Sequence, residues 1–136
     1  ANIMDCLERL QEHLLTCASS FVQAGGVKAF GETARGEVVE LWREWEARCA
    51  MMTQGLNEIP GLKCTKPEGG FYAWVDITAT GYTSQELTDK LLDDEQVAVV
   101  PGPAFGPSGE GYIRINCVRN RDELQEGLSR IKRALT

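Results

Sequence analysis

The spacing of apolar residues in this chain changes near Leu62, and that change limits the folds it can adopt. Upstream, apolar residues recur every three or four positions, which is typical of amphipathic helices. Downstream, the segments FYAWVDI (71–77) and YIRINCV (112–118) alternate between two faces, as strands with one buried face do. The pattern predicts an α+β fold, in which a small, mainly antiparallel sheet is covered by helices and preceded by a long N-terminal helical arm.

The upstream part predicts helices on both sides of a glycine-punctuated turn. Helical spacing from Ile3 to about Phe30 predicts two helices, or one bent helix with a break at TCASS (16–20), because Ser and Thr compete for backbone hydrogen bonds. A long helix follows the turn and stops at IPG (59–61). Its apolar stripe is expected to contain Val38, Leu41, Trp42, Trp45, Cys49, Met52 and Leu56.

The downstream part predicts two further helices and a strand between them. Thr83 and Glu86 form a T-x-x-E capping box, and Asn120 with Glu123 forms the N-terminal cap of a closing helix. Segment 97–102 (VAVVPG) predicts a continuous apolar strand that ends at its proline. The apolar residues expected on the two helices are Leu87 and Leu91 in the first and Leu124, Leu128, Ile131 and Leu135 in the second.

Charge and cysteine usage exclude several classes of partner. The formal net charge is −6 and the basic residues are scattered among acids, so no nucleic-acid partner is expected. There is no run of about 18 apolar residues and no signal peptide, so we expect no membrane partner and a cytoplasmic location. An odd number of dispersed cysteines indicates reduced thiols packed as small core residues. These are Cys6, Cys17, Cys49, Cys64 and Cys117.

The glycine-rich stretch VVPGPAFGPSGEGYIRINCV (99–118) is the first candidate for a ligand site. A phosphate-binding loop leads into a helix N-terminus, where backbone N–H groups and the helix dipole face the anion. Here the glycines lead into a strand, and neither GxxxxGK[ST] nor a GxGxxG that opens a helix is present. Phosphate binding by this loop is therefore not expected.

The only histidine, His13, shares a predicted helix face with Cys6 and Cys17. A zinc site would need a fourth ligand, and a Cys–His nucleophilic pair would need a third, orienting group that the sequence does not identify. These positions border the apolar stripe, so packing is the favoured interpretation. We predict no metal ligand and no catalytic residue in this chain.

Arg114 is the remaining candidate, in the middle of the strand that follows the glycine-rich loop. Its planar guanidinium can bind a carboxylate through two parallel hydrogen bonds. From the pattern alone, a solvated arginine on the open face of a small sheet is favoured, because exposed sheet faces commonly carry charge.

Three long segments and the N-terminal region together resemble the C-terminal part of class I/II aminotransferases, the fold type I enzymes that depend on pyridoxal phosphate. The resemblance covers nearly the whole chain, and the order and spacing of three motifs make it specific. The motifs are P-x-G-G-F-Y (67–72), V-x-V-V-P-G-x-x-F-G (97–106) and G-Y-I-R-I (111–115), and the N-terminal match is LLTCASSFVQAGGVKAF (14–30).

The resemblance implies a mechanism and a role for Arg114. In this family a lysine of the large domain holds pyridoxal phosphate as a Schiff base and abstracts the substrate α-proton. An arginine in the last strands of the small domain binds the α-carboxylate of an amino acid or 2-oxo acid substrate and helps the domain close. Because GYIRIN matches the family's motif, the resemblance implies this substrate-binding role for Arg114. It therefore reverses the preference for a solvated arginine. A homodimer is also implied.

The chain departs from the family at the cofactor lysine. That lysine lies in an S-x-x-K or S-K motif followed by G-x-R-x-G, and Lys28, Lys63, Lys66, Lys90 and Lys132 all have other contexts. The resemblance therefore implies a C-terminal fragment that is inactive alone and binds no cofactor by itself. Residues 1–34 would be a helical arm that packs on the missing large domain, and residues 35–136 the small domain.

Two consequences and two alternatives accompany this interpretation. A fragment that lacks its large domain should expose apolar surface and self-associate. One alternative is a stand-alone α+β interaction or regulatory module that only shares the fold. The other is the small domain of a related fold type I enzyme, such as a C–S lyase or a decarboxylase, because the large domain sets the reaction.

Overall fold

The computed structural model describes residues 2–136, which form five α-helices and a four-stranded sheet. The helices are α1 (Ile3–Leu15), α2 (Ser20–Ala29), α3 (Glu32–Asn57), α4 (Ser84–Glu95) and α5 (Arg121–Leu135). The strands are β1 (Lys63–Cys64), β2 (Tyr72–Asp76), β3 (Val100–Pro101) and β4 (Tyr112–Asn116). In the described residues, every helix is too short or too polar to cross a lipid bilayer.

The chain divides into two compact units, one that ends at Leu41 and one that runs from Trp42 to Thr136. The division lies inside α3, so the first part of this helix belongs to the N-terminal unit and the rest to the C-terminal unit. The predicted boundary between residues 34 and 35 also falls within α3. The two units are described separately.

In the N-terminal unit, the predicted break in the first helical segment is confirmed. Asn2 caps α1 by accepting a hydrogen bond from the Met4 N–H at 3.3 Å, and α1 ends at Leu15, before Thr16, whose φ is positive (56°). No residue of α1 or α2 is buried. The unit therefore leaves the apolar side chains of both helices exposed, among them Leu7, Leu10 and Phe21.

The exposure of the N-terminal unit corrects the expectation about its histidine and two cysteines. Cys6, His13 and Cys17 were expected to pack beside the apolar stripe, and all three are exposed. Cys17 also lies beyond the end of α1, so it does not share a helix face with the other two. The sequence pattern places these residues near an apolar stripe, but in this unit the stripe itself is not buried.

The C-terminal unit is built on a sheet with strand order β1-β2-β4-β3, in which every neighbouring pair is antiparallel. The predicted alternation is confirmed in both long strands. Ala73, Val75 and Ile113 are completely buried, whereas Tyr72 and Trp74 lie on the opposite, open face. One face of the sheet therefore forms the core, and the other face is available for contacts with a ligand or partner.

Helices α3, α4 and α5 supply the rest of the core of this unit. The Thr83–Glu86 capping box and the Asn120 cap form as predicted, and each cap fixes the start of a helix whose apolar residues are buried. The buried helical side chains are Cys49, Met52 and Leu56 from α3, Leu87 and Leu91 from α4, and Leu124 and Ile131 from α5. The cysteine prediction holds for Cys49, Cys64 and Cys117, which are buried free thiols.

Three elements differ from their predicted extents. Only the last part of the α3 stripe is buried, since Val38, Leu41 and Trp42 are exposed. The predicted strand 97–102 is reduced to Val100–Pro101. It is short because the Val97 N–H bonds to the Leu91 carbonyl at the end of α4, which places that residue in a helix cap. Strand β1 was not predicted, because two residues carry too little alternation to identify a strand.

The glycine-rich loop between β3 and β4 folds back on itself through two short 3₁₀ turns, Gly102–Phe105 and Pro107–Gly109. Gly102 and Gly109 make the closest approach, since a Cβ on either would overlap the backbone carbonyl of the other. The buried Ser84 hydroxyl then accepts hydrogen bonds from the N–H groups of Gly111 (2.9 Å) and Tyr112 (3.1 Å). The loop is thus a compact backbone structure that directs the chain into β4.

Candidate functional site

Arg114 lies at the centre of β4 on the open face of the sheet. Its backbone is paired with Trp74 of β2 on one side and with Val100 of β3 on the other. The side chain is half-buried although it is on the open face. Residues on both neighbouring strands and on the glycine-rich loop therefore surround the one arginine that the sequence singled out.

The guanidinium of Arg114 contacts two aromatic rings, one on β2 and one on the glycine-rich loop. Its Cζ is 4.3 Å from the centroid of the Tyr72 ring and 4.5 Å from the centroid of the Phe105 ring. Both distances fall in the range of cation–π contacts, in which the cation is attracted by the negative ring face. We refer to Tyr72 and Phe105 as the aromatic clamp.

The twist of the sheet explains why Tyr72 reaches Arg114. In the register of β2 and β4, Arg114 is directly opposite Trp74, and Tyr72 is its diagonal neighbour. Diagonal neighbours across an antiparallel pair are within reach of long and aromatic side chains. Trp74 leans in the same diagonal sense and stacks on Tyr112, with centroids 5.6 Å apart and an interplanar angle of 14°. It also meets Phe105 edge to face at 5.7 Å.

Among the described residues, Arg114 forms no ion pair, whereas five other arginines do. These are Arg48, Arg119, Arg121, Arg130 and Arg133. A half-buried guanidinium that pairs with no carboxylate of residues 2–136 can bind the carboxylate of a ligand. This is the chemical capacity of the site.

A shallow groove of about 350 Å³ adjoins the site on the open face and contains Tyr72, Trp74 and Tyr112. It carries the charged side chains of Lys63, Lys66 and Asp76. Hydrogen bonds from the hydroxyl and N–H of Thr78 lower the pKa of the Asp76 carboxyl, so this group remains an anion at neutral pH. Asp76 is thus fixed in a local turn.

A second, larger cavity of about 670 Å³ lies between α3 and the loop that precedes β2. Trp45 of α3 contacts the ring of Phe71 with centroids 5.4 Å apart, and Lys66 forms an exposed ion pair with Glu46 at 3.2 Å. Its lining is mixed, with Trp42 and Pro67 beside these polar groups. Arg114 does not line this cavity, so the two features are separate.

An arginine network fastens the end of β4 to α3. Arg48 Nη1 donates to the carbonyl oxygens of Val118 (2.8 Å) and Arg119 (2.9 Å), and its Nε donates to Glu44 at 2.9 Å. Arg121 donates two more hydrogen bonds to the same carboxylate, from Nε at 3.1 Å and from Nη2 at 2.6 Å. The hydrogen bonds from Arg121 and Arg48 lower the pKa of Glu44 to about 2. The corner between β4 and α5 is therefore tied to α3 by side chains.

The lysines of this chain do not fit a covalent attachment site for pyridoxal phosphate. An amine that forms a Schiff base is activated by burial or by a neighbouring cation. Lys28, Lys63, Lys66 and Lys132 are exposed. Lys90 is ion-paired with Asp94 at 2.7 Å, which raises its pKa.

The buried thiols do not form a reactive centre. Burial raises the pKa of the Cys117 thiol to about 12, with further contributions from Cys49 and Cys64. Burial also raises the pKa of Cys64. A protonated thiol is a poor nucleophile and a poor metal ligand. Within residues 2–136, moreover, no cluster of three or more His, Cys, Asp or Glu side chains could hold a metal ion.

Sequence reasoning identified Arg114 but missed the residues that surround it. Tyr72 was assigned only to a strand face and Phe105 only to a loop, and neither assignment indicates contact with Arg114. The alternation of β2 and β4 was a usable signal for Tyr72, because it shares the open face with Arg114. The Glu44–Arg48–Arg121 network had no comparable signal, since Arg121 is far from the other two in the sequence.

Comparison with known proteins gives a consistent result over nearly the whole chain. The family model for aminotransferase class I and II matches residues 1–131. The chain is 35% identical to an aspartate aminotransferase of Pyrococcus horikoshii over 130 residues, which cover 95% of this chain and 33% of that relative. It is also 35% identical to aromatic-amino-acid aminotransferase 2 of Thermococcus litoralis, with 98% and 34% covered.

Solved structures agree with the sequence comparisons. A crystal structure of the aromatic aminotransferase from Pyrococcus horikoshii superposes with a TM-score of 0.88 and 38% identity, over 93% of this chain and 34% of that one. A structure of MJ0684 from Methanococcus jannaschii superposes with a TM-score of 0.85 and 29% identity, over 100% of this chain and 36% of that one. The chain thus spans about a third of the length of the relatives it matches.

Proposed function

Because this chain belongs to the class I and II aminotransferase family, whose enzymes depend on pyridoxal phosphate, we propose that it is the C-terminal small domain of an aminotransferase. Its task in that enzyme is to bind the α-carboxylate of an amino acid or 2-oxo acid substrate and to close over the site. The single observation that carries this proposal is the half-buried Arg114 guanidinium, which lies on the open face and forms no ion pair within the part of the chain that the structure describes.

Arg114 performs this task by electrostatics and geometry. A carboxylate that meets the guanidinium edge forms two parallel hydrogen bonds, which fix the substrate's orientation as well as its position. Partial burial strengthens the interaction, because the local dielectric constant is lower than in water. The hydrophobic sheet face beneath β4 keeps the arginine backbone in place while the side chain binds.

We propose that pyridoxal phosphate is held by the large domain of that enzyme and not by this chain. Exposed or ion-paired lysines support this assignment, since none resembles an activated amine. We propose that the isolated chain has no transaminase activity and forms no specific bond with pyridoxal phosphate. The test is to mix the isolated chain with pyridoxal phosphate, reduce the mixture with borohydride, and map the modified lysines by mass spectrometry. Stoichiometric labelling of one specific lysine would contradict it.

The N-terminal unit has a complementary role in the proposal. Its α1 and α2 bury no residue, so we propose that this helical arm packs on the large domain or on a second subunit of a homodimer. The isolated chain would then self-associate, and a strict monomer in light scattering at high concentration would contradict this. We propose the cytoplasm as the location, on the sequence argument given above for the absence of a signal peptide and of a long apolar run.

Replacing Arg114 in the enzyme that contains this chain tests the carboxylate role. Arg114→Ala should lower kcat/KM for amino acid substrates by about 30-fold or more, since removing one partner of a buried charge pair costs about 2–5 kcal/mol. Arg119→Ala is the matched control, because Arg119 is well exposed and its ion-pair distance is 3.9 Å. Unchanged kcat and KM in Arg114→Ala would remove this residue from the site.

A further inference from the structure

We propose that Tyr72 and Phe105 are positioning residues that hold the plane of the Arg114 guanidinium and leave its edge open to the substrate carboxylate. This inference rests on the proposed function of Arg114. It adds two residues that neither sequence reasoning nor the comparisons assign to the site.

The aromatic clamp contacts the guanidinium through two separate elements of the fold. Tyr72 belongs to β2, and Phe105 belongs to the 3₁₀ turn after β3, so the two rings are held by independent elements. Rings near the faces of a planar cation leave its N–H groups to point outward along the edges. Those edges are the directions from which a carboxylate binds in the two-bond geometry.

Core packing does not account for the positions of the two rings. The Phe105 side chain is 52% exposed and Tyr72 is 43% exposed, so neither contributes to the buried core. Phe105 is nevertheless held in place by the tight Gly102–Gly109 backbone contact and by the edge of Trp74. The rings are therefore held by contacts outside the buried core. Tyr72 contacts Arg114 and also the neighbouring Phe71 ring, with centroids 4.6 Å apart, and Phe105 contacts Arg114 and Trp74.

An unclamped arginine would lose part of its advantage as a carboxylate ligand. Its side chain has several rotatable bonds, and binding a carboxylate would then require ordering all of them at an entropic cost. With the clamp in place, the Arg114 side chain is already ordered in the folded protein before the substrate binds. Loss of one ring should thus weaken carboxylate binding while the fold remains intact, because the clamp residues are exposed.

The test compares clamp variants with a matched control in the full enzyme. Tyr72→Leu and Phe105→Leu should each lower kcat/KM for an amino acid by about fivefold to tenfold, mainly through KM. Tyr72→Phe keeps the ring and should retain most of the wild-type value. Tyr82→Leu is the control, since Tyr82 is 39% exposed, a fraction similar to that of Tyr72, and the cation–π contacts of Arg114 are with the two clamp rings.

A second substrate separates positioning from general damage. The half-reaction with the corresponding amine, which lacks the α-carboxylate, should proceed equally well in wild type and in both leucine variants. Equal losses with the amino acid and the amine would overturn the proposal, because a positioning role acts only through the carboxylate. A Tyr72→Phe variant as impaired as Tyr72→Leu would also overturn it.

The outcomes also separate this inference from the proposed function. If Arg114→Ala lowers amino acid kcat/KM but neither leucine variant does, the clamp proposal fails and the role of Arg114 stands. If Arg114→Ala has no effect, the proposed function fails first, and the clamp has no carboxylate ligand to position. Selective loss in all three variants supports both.

Discussion

Replacing Gly102 with alanine should disrupt the loop that carries Phe105. The new Cβ would overlap the Gly109 carbonyl and would lie 2.8 Å from the Tyr112 carbonyl oxygen. Both obstacles are backbone atoms, so no flexible side chain can move aside. The two 3₁₀ turns would have to separate, and the start of β4 would be displaced with them.

The expected magnitude follows from two opposing effects. Overpacking in a tight region costs about 1–3 kcal/mol, and backbone obstacles place Gly102→Ala at the upper end. Replacing glycine also reduces the entropy of the unfolded chain, which offsets about 0.4–1 kcal/mol. The free energy of unfolding should therefore fall by about 2 kcal/mol, which lowers Tm by on the order of 10 °C for a domain of this size.

The assay is urea unfolding followed by far-UV circular dichroism, with Gly127→Ala as the matched control. Gly127 lies inside α5, and a Cβ added to it would meet no neighbouring atom within 4 Å. The same chemical change should raise stability there by about 0.8–1 kcal/mol, because alanine favours helix more than glycine does. The free energy of unfolding of Gly102→Ala could instead lie within about 0.5 kcal/mol of wild type, with an unchanged dependence on urea concentration. That result would refute the assigned role of the Gly102–Gly109 contact.

Two further predictions concern the core and the arginine network. Leu91→Ala should lower the free energy of unfolding by about 2–5 kcal/mol, because Leu91 is 0% exposed. Leu92→Ala should change it by less than about 0.5 kcal/mol, because Leu92 is 50% exposed. Equal effects of the two substitutions in urea titrations would contradict this packing. The pKa of Glu44 is lowered from 4.5 to about 2 in the folded protein, so its contribution to stability is present above pH 4.5 and is lost as the pH falls toward 2. Glu44→Gln should therefore be less stable than wild type at neutral pH and should approach it at low pH, and a constant difference across that range would argue against the network.

Local sequence signals predicted the elements whose causes are local. The capping box at Thr83 and Glu86 needs only four residues, and it forms as predicted. Alternation in 71–77 and 112–118 separated the buried face from the open face, because successive strand residues point to opposite sides. Prediction was less accurate where a backbone N–H could bond to either a helix end or a strand. The Val97 N–H bonds to the Leu91 carbonyl at the end of α4, so Val97 does not extend β3.

Burial was less predictable than secondary structure. All five cysteines were expected to be core residues, yet Cys6 and Cys17 are exposed and the other three are buried. The five side chains are chemically identical, so the burial of each cysteine depends only on which elements pack against it. The same reason applies to α3, whose apolar residues are buried at Cys49 but exposed at Trp42.

The sequence by itself determined the helix caps and the two faces of the long strands, and through the resemblance it made Arg114 the candidate for carboxylate binding. Each of these depends on residues close together in the chain. The tertiary structure decided the strand order β1-β2-β4-β3, the fold of the glycine-rich loop and the contacts of Arg114 with Tyr72 and Phe105. These features depend on which distant segments pair, because register and sheet twist bring together side chains that sequence spacing leaves unrelated.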